Sequence, residues 1–372
     1  VGQGRTRYTS KEASKGAAIF NTGVPIAGNG GIIRIVSEYC EDVTRSKAER
    51  DCQYFMVEKY KQEGGLLNGN SPSAKFTNFY GTVYDNWNNF PHHTNLPGSP
   101  SDTTAATDAA NRTNPSRPHV DIPANVLQLP EIIQLIYTTG NKFFRVGAAV
   151  NLAWQFGVLP IVSDLDKIRS FADQLDRRMK ILDRLQGENG YRKTTKHGGF
   201  AVDGWYNKVI QSQGVFISKP FHCITREIVK CHTRWIPQGN FQSLNTHAKR
   251  VLASDALNGF VSSNAIGIDL YSVWQAIPWT WLIDWATNAS SYFLATRNIV
   301  PASLDGVYVM RTTQSVYTER GGTVAGVKHT PVTITRTNKY RKKGLVAPYA
   351  QFPLLSANQM GILASLAITK GR

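Results

Sequence analysis

FHCITREIVKCHTRW, spanning Phe221–Trp235, changes character at every step. Its odd positions are Phe221, Cys223, Thr225, Glu227, Val229, Cys231, Thr233 and Trp235. The even ones are His222, Ile224, Arg226, Ile228, Lys230, His232 and Arg234. Strand side chains point alternately to opposite faces, so this pattern predicts a half-buried antiparallel strand with one inward and one basic face. Thr330–Lys343 repeats the logic: Val332, Ile334 and Tyr340 share one face, and Thr333, Thr335, Thr337, Lys339, Arg341 and Lys343 share the other. Hydroxyls alternating into lysine and arginine suit phosphate oxygens.

Both stretches lie where the charge is. Residues 191–250 and 305–372 each carry ten basic and two acidic side chains, which together equal the whole formal net charge of +16. Elsewhere the signs nearly balance. Such concentration favours a polyanion, and nucleic acid is the expected partner. The candidate RNA-binding residues of the first basic region are Arg192, Lys193, Lys196, Arg226, Lys230 and Arg234, followed by Lys249 and Arg250. The second region supplies Arg336, Lys339, Arg341, Lys342 and Lys343, with Tyr340 as an aromatic between two cations. A smaller cationic patch, Arg177, Arg178, Lys180 and Arg184, falls in a helical segment.

Outward from these strands the periodicity changes. Ser163–Gln186 places Leu165, Ile168, Ala172, Leu175, Met179 and Leu182 at steps of three and four, one face of a bundle helix, and Gly187 and Gly190 end it. Helical patterns also occupy Leu127–Gln186 more broadly, Ala248–Thr296, and a terminal stretch opened by the capping box Ser356–Gln359 and running to Ile368. Residues 1–90 read as short strand-like pieces, such as Gly31–Val36 and Thr77–Tyr84, with one helix expected over Thr44–Gln62 from its i,i+4 charges. Residues 91–123 hold six prolines and read as a long loop. The expected fold class is α+β. Residues 1–125, 191–245 and 303–350 form an antiparallel β-sheet region from discontinuous segments, and 126–190, 246–302 and 351–372 form a helical bundle region. The chain has 41% hydrophobic residues, enough for a buried core.

No catalytic apparatus is evident. The phosphate-binding G-x-x-x-x-G-K-[ST], the metalloprotease H-E-x-x-H and the hydrolase G-x-S-x-G patterns do not occur. His92 and His93 lack neighbouring carboxylates or thiols. The basic region 191–250 contains only Asp203 and Glu227, too few carboxylates for a two-metal nuclease. Cys40, Cys52, Cys223 and Cys231 have no zinc-like spacing and read as reduced, packed thiols. Val1–Arg34 shows no secretory pattern, and the most apolar window, Leu270–Ala286, is broken by Pro278 and contains Asp284. The expectation is a non-enzyme with no cofactor, no metal and no membrane anchor.

Two tryptophan-rich strings stand apart. In one, Trp154 precedes Gln155-Phe156-Gly-Val-Leu-Pro160-Ile-Val-Ser163-Asp164-Leu165. The other is Val273-Trp274-Gln-Ala-Ile-Pro278-Trp-Thr-Trp281-Leu-Ile-Asp284-Trp285. Each reads as a packed helix entry set by a proline, with an aspartate able to accept an indole N–H. These strings resemble the Q-F-G-x-L-P-x-x-S-D-[IL] and V-W-x-x-[VI]-P-[FW]-[ST]-x-[VL]-[VI]-D-W segments of the maturation proteins of levivirus-like single-stranded RNA bacteriophages. The resemblance covers the helical segments. It matches the strand-rich half only in general character, and residues 1–120 not at all.

The resemblance implies an elongated molecule present once per virion, where it replaces a coat-protein dimer and is not a homo-oligomer. It also implies binding to hairpins near the 3′ end of the genomic RNA, attachment to a bacterial pilus, and synthesis in the host cytoplasm. Family RNA contacts lie mainly at the helical, interior end, whereas the charge here favours the strands; both are expected to contribute. Some members also act as lysis effectors that inhibit peptidoglycan synthesis. A cellular RNA-binding protein or nuclease is the remaining alternative.

Overall fold

The structure is a computed structural model that describes residues 4–43, 54–118, 171–257 and 287–348. Strands account for 51% and helical residues for 23%, in two antiparallel sheets and four α-helices among the described residues. This corrects the α+β expectation of a helical bundle balanced against a sheet. Part of the reason is visible in the strand Phe55–Gly64, whose residues 55–62 fall in the segment expected to be helical. Tyr60 and Gln62 are buried there while Lys59, Lys61 and Glu63 are exposed. A polar residue on the inward side hides the alternation, and weak i,i+4 charge pairs cannot outweigh strand pairing on both sides.

The seven-stranded sheet runs in the order β1-β3-β4-β12-β9-β8-β7. Its strands are β1 (Gly4–Ser14), β3 (Ile32–Val43), β4 (Phe55–Gly64), β7 (Tyr191–Gln211), β8 (Ile217–Pro237), β9 (Ala302–Glu319) and β12 (Val332–Lys343). The five-stranded sheet has the order β10-β11-β5-β6-β2, built from β2 (Ala17–Phe20), β5 (Leu66–Asn70), β6 (Ala74–Tyr80), β10 (Gly322–Val324) and β11 (Val327–His329). Alternation in β8 is as read from the sequence: every odd position from Phe221 to Trp235 is buried.

Two compact units divide the chain. The first comprises Val1–Ser101, Lys196–Cys231 and Tyr308–Lys343. Its core is aromatic, with Tyr60, Phe76, Phe79, Tyr84, Phe90, Phe221 and Tyr317 buried among Ile33, Leu67, Ile217, Val327 and Ile334 from both sheets. The chain passes from one sheet to the other at Gly64 and Gly65, whose φ angles are +79° and +91°. A Cβ on Gly64 would stand 1.9 Å from the Pro331 carbonyl oxygen, so glycine is required at this crossing. Thr330 Oγ1 accepts from the backbone N–H groups of Gly65 and Leu66 beside it.

Residues 82–101 line the inner face of this unit. His92 Nδ1 lies 2.7 Å from the Ser315 hydroxyl, and burial lowers its pKa to about 4. His329, 2.8 Å from Glu319 and 3.1 Å from the Tyr84 hydroxyl, is also held below its ordinary value by burial, against the pull of Glu319. A histidine neutral in the fold but free to charge on unfolding stabilises the fold above pH of about 6.5, and that contribution is lost as pH falls through the folded value. Thermal unfolding is therefore expected to shift to lower temperature between pH of about 6.5 and 4. His92→Asn should shallow that dependence; an unchanged slope would show that His92 contributes none of it.

The second unit takes Asp102–Thr195, His232–Val307 and Gly344–Arg372. It contains α1 (Asp102–Thr113), α2 (Phe171–Gln186), α3 (Thr246–Leu257) and α4 (Ala289–Thr296). Helix α1 falls within residues 91–123, which the sequence suggested to be loop throughout. Pro100 and Pro115 flank it rather than interrupt it, and Ala105, Ala106, Ala109 and Ala110 are fully buried. Alanine has the highest helix propensity, so a proline-free window this rich in it folds locally. Helix α2 ends where expected, with Leu182 and Leu185 buried beside Tyr191, Trp235, Phe241 and Ala253.

A polar hub follows α1. Asn114 Nδ2 donates to the carbonyls of Leu294, Ala295 and Arg297, at the C-terminal end of α4, and Trp235 Nε1 donates to Thr113 Oγ1. Asn114→Ala would leave those carbonyls unsatisfied and is expected to cost about 1–3 kcal/mol in chemical unfolding. The expected helices over residues 127–170, 258–286 and 356–368 lie outside the described residues. So do Thr44–Cys52 and every residue of the two tryptophan-rich strings: Trp154, Gln155, Phe156, Pro160, Ser163, Asp164, Trp274, Pro278, Trp281, Asp284 and Trp285.

Candidate nucleic-acid interface

Strand register assembles the cations of the first unit. β12 sets Thr337 opposite Lys59, Lys339 opposite Val57 and Arg341 opposite Phe55 of β4. On its other side Lys339 faces Thr312, Arg341 faces Met310 and Lys343 faces Tyr308 of β9. Directly opposed residues of paired strands point to the same side of the sheet. β3 and β1 extend that side with Val36, Glu38, Cys40 and Asp42, and with Lys11, Thr9, Arg7 and Arg5.

The opposite, inner side is identified by its contacts. Thr225 and Ser315 hydroxyls lie 2.7 Å apart, and Thr313 Oγ1 donates to Glu227. β8 therefore directs its odd residues inward and holds Arg226 and Lys230 on the same open side as Lys339, Arg341 and Lys343.

Ion pairing divides this open face. Asp42 accepts two bonds from Arg5 and lies 3.6 Å from Arg7, while Lys59 meets Glu38 at 3.2 Å and Lys61 meets Glu63 at 2.7 Å. These exposed pairs contribute little stability but neutralise the β1-β3-β4 half. Over β12 and β8 the balance differs. Lys339, Lys343, Arg226 and Lys230 are all exposed and make no ion pair among the described residues. Lys196 on β7 is exposed and unpaired in the same sense. Arg341 lies over the Phe55 ring at 5.8 Å. Four unneutralised cations, two on β12 and two on β8 with β9 between them, stand in rows about 10 Å apart on one side of the sheet and produce a local positive field.

Other expected RNA-binding residues are placed differently. Arg336 and Tyr340 point to the inner side: Tyr340 is opposite Arg311, and Arg336 donates to the Phe90 carbonyl at 3.4 Å. Tyr340 is thus not interleaved with Lys339 and Arg341 on one surface. Lys342 sits on the Tyr340 side, 5.2 Å above its ring.

In the second unit three of the expected cations are internal braces. Arg178 donates to the carbonyls of Asn114, Pro115 and Arg117, and burial lowers its pKa to about 10. Arg234 is buried, ion-paired with Asp305 at 3.0 Å and bonded to the Asn189 carbonyl. Lys249 meets Asp183 at 2.5 Å and Gln186 at 3.0 Å. Arg177, Lys180, Arg184, Lys193 and Arg250 are exposed, and Arg192 is half-buried.

Lys59, Lys61, Arg5, Arg7 and Lys11 were not singled out as candidates, yet they share the open face. Their signal was the period-two spacing Arg5-x-Arg7-x-Thr9-x-Lys11 and Lys59-x-Lys61.

Ser315, beside His92, is fully buried, and Glu227 is committed to Arg311 at 2.8 Å. Among the described residues no group of three or more His, Cys, Asp or Glu side chains is placed to hold a metal ion. Cys40, Cys223 and Cys231 are buried and form no disulfide. No described helix is long and apolar enough to cross a membrane. Comparison with known proteins gives no matching family model and no matching curated protein.

Proposed function

We propose that this chain binds folded RNA through the open face of its seven-stranded sheet, as a virion maturation protein of the levivirus kind. The carrying observation is the cluster of exposed, unneutralised cations Arg226, Lys230, Lys339 and Lys343 on one side of β8 and β12. The sheet sets these side chains in rows along β8 and β12, and Thr333, Thr335 and Thr337 continue the β12 row with hydroxyl donors. Such a surface reads phosphates and shape rather than base sequence, which is how double-stranded RNA is recognised.

The two tryptophan-rich strings support the more specific part of the reading. On it, the partners are 3′ hairpins of the viral genome, coat-protein dimers and a bacterial pilus, with one copy in each virion and no catalytic role.

The test is binding of purified protein to RNA hairpins across a salt series. If about six phosphates are contacted, log affinity falls against log salt with a slope of about −4 to −5. A slope near zero would remove the phosphate-reading surface. Crosslinking within intact particles supplies the second arm: genome crosslinks should fall on peptides from 191–250 and 328–343.

A further inference from the structure

Trp205 is the one tryptophan among the described residues left largely in solvent, with 68% of its surface exposed. It stands on β7, at the edge of the seven-stranded sheet. Its ring lies 4.8 Å from the His222 ring, centroid to centroid, at 38°. His222 is in turn 3.5 Å from Asp203. His222 shares the even side of β8 with Arg226 and Lys230, so Trp205 belongs to the same open face. Arg226 lies four residues along the strand, about 13 Å away, and Lys230 the same distance beyond. An exposed indole costs solvation unless something covers it, and this one is anchored by a neighbouring ring at the end of a cationic track.

From this geometry we infer that Trp205, backed by His222, is a stacking platform for an unpaired base of the bound RNA, next to a stem whose phosphates lie along Arg226 and Lys230. The inference rests on the RNA-binding reading and adds to it a site for single-stranded loop or bulge nucleotides. Charge selects this occupant: beyond the Asp203 carboxylate at His222, the strand face leading from Trp205 carries the cations Arg226 and Lys230, and a base carried on a phosphate backbone brings the complementary sign to them. Stacking on an indole tolerates any base, because each has a π-face. A loop nucleotide therefore binds here without sequence being read.

The experiment compares wild type, Trp205→Ala and Trp205→Tyr. The probes are an RNA hairpin with an unpaired loop and a blunt duplex of the same stem. Trp205→Ala should weaken hairpin binding roughly 5- to 100-fold, leave duplex binding unchanged and leave the salt slope unaltered. Trp205→Tyr should retain most of the hairpin affinity, since it keeps an aromatic face. Equal losses on hairpin and duplex, or no loss on either, would overturn the stacking site while RNA binding itself stands. Failure of the wild type to bind either RNA would overturn the RNA reading as well. A change in sedimentation of Trp205→Ala without a change in RNA affinity would assign the ring to a contact between protein copies and overturn the inference. Matching thermal unfolding of the three proteins excludes a folding defect.

Discussion

Arg311→Met is expected to destabilise the first unit by about 3–5 kcal/mol, the largest effect of any single substitution considered. Arg311 and Glu227 are both nearly excluded from solvent on the inner face of the sheet. The guanidinium meets the carboxylate at 2.8 Å, donates to Ser99 Oγ at 3.0 Å and donates to the Pro100 carbonyl. Glu227 also accepts from Ser99 and Thr313.

Removing the arginine leaves a buried carboxylate with two neutral donors and frees the 99–100 segment from β9. The cost is dominated by that stranded charge rather than by the lost bond. The double substitution Arg311→Met with Glu227→Met should accordingly recover much of the loss, because an apolar pair of similar volume needs no desolvation. Urea unfolding of the four proteins measures the coupling directly. A single-variant cost below about 1 kcal/mol would mean that water reaches Glu227.

Much of the sheet was legible because its inward residues are apolar and its outward ones are charged. β8 shows this at Phe221, Cys223, Val229, Cys231 and Trp235, while Thr225, Glu227 and Thr233 keep the alternation with polar side chains that are buried and bonded. β4 was not legible, since Gln62 faces inward and pairs with its own strand neighbours, Tyr60 and Gly64. Only cross-strand pairing to β3 and β12 makes that segment extended, and such partners are distant in sequence. Helix α1 was concealed for a different reason: prolines at its flanks raised the apparent density of helix breakers across a segment whose interior has none.

The candidate site divides along the same line. Lys339, Arg341 and Lys343 were found by alternation within one strand. Arg178, Arg234 and Lys249 were indistinguishable from them in sequence, because whether a cation meets water or a protein acceptor depends on what the tertiary fold brings to it. Arg178 is bound by the turn after α1, 61 to 64 residues away in sequence. Trp205 went unnoticed because a lone tryptophan in an alternating strand normally faces the core.

Reversing Arg226, Lys230 and Lys339 together to glutamate is expected to lower affinity for hairpin RNA on the order of 100-fold or more, since each loses a charge-assisted phosphate contact and gains repulsion. The salt slope should shrink by about three, one for each contact removed. Stability should change little, because all three are exposed and make no ion pair among the described residues, and such surface changes stay within about 0.5 kcal/mol. Losses should be alike across RNA sequences, as phosphate contacts carry no base information.

The informative comparison is Arg177→Glu with Arg184→Glu on α2, the exposed part of the helical patch. If the sheet face is the RNA surface, that pair costs far less than the triple reversal. If the α2 pair abolishes binding while the triple reversal is tolerated, RNA is held in the second unit and the cations of β8 and β12 serve another partner. Equal losses would mean that both surfaces carry phosphates. In that case the combined variant should show the two reductions in slope adding, because contacts on separate surfaces release their counterions independently.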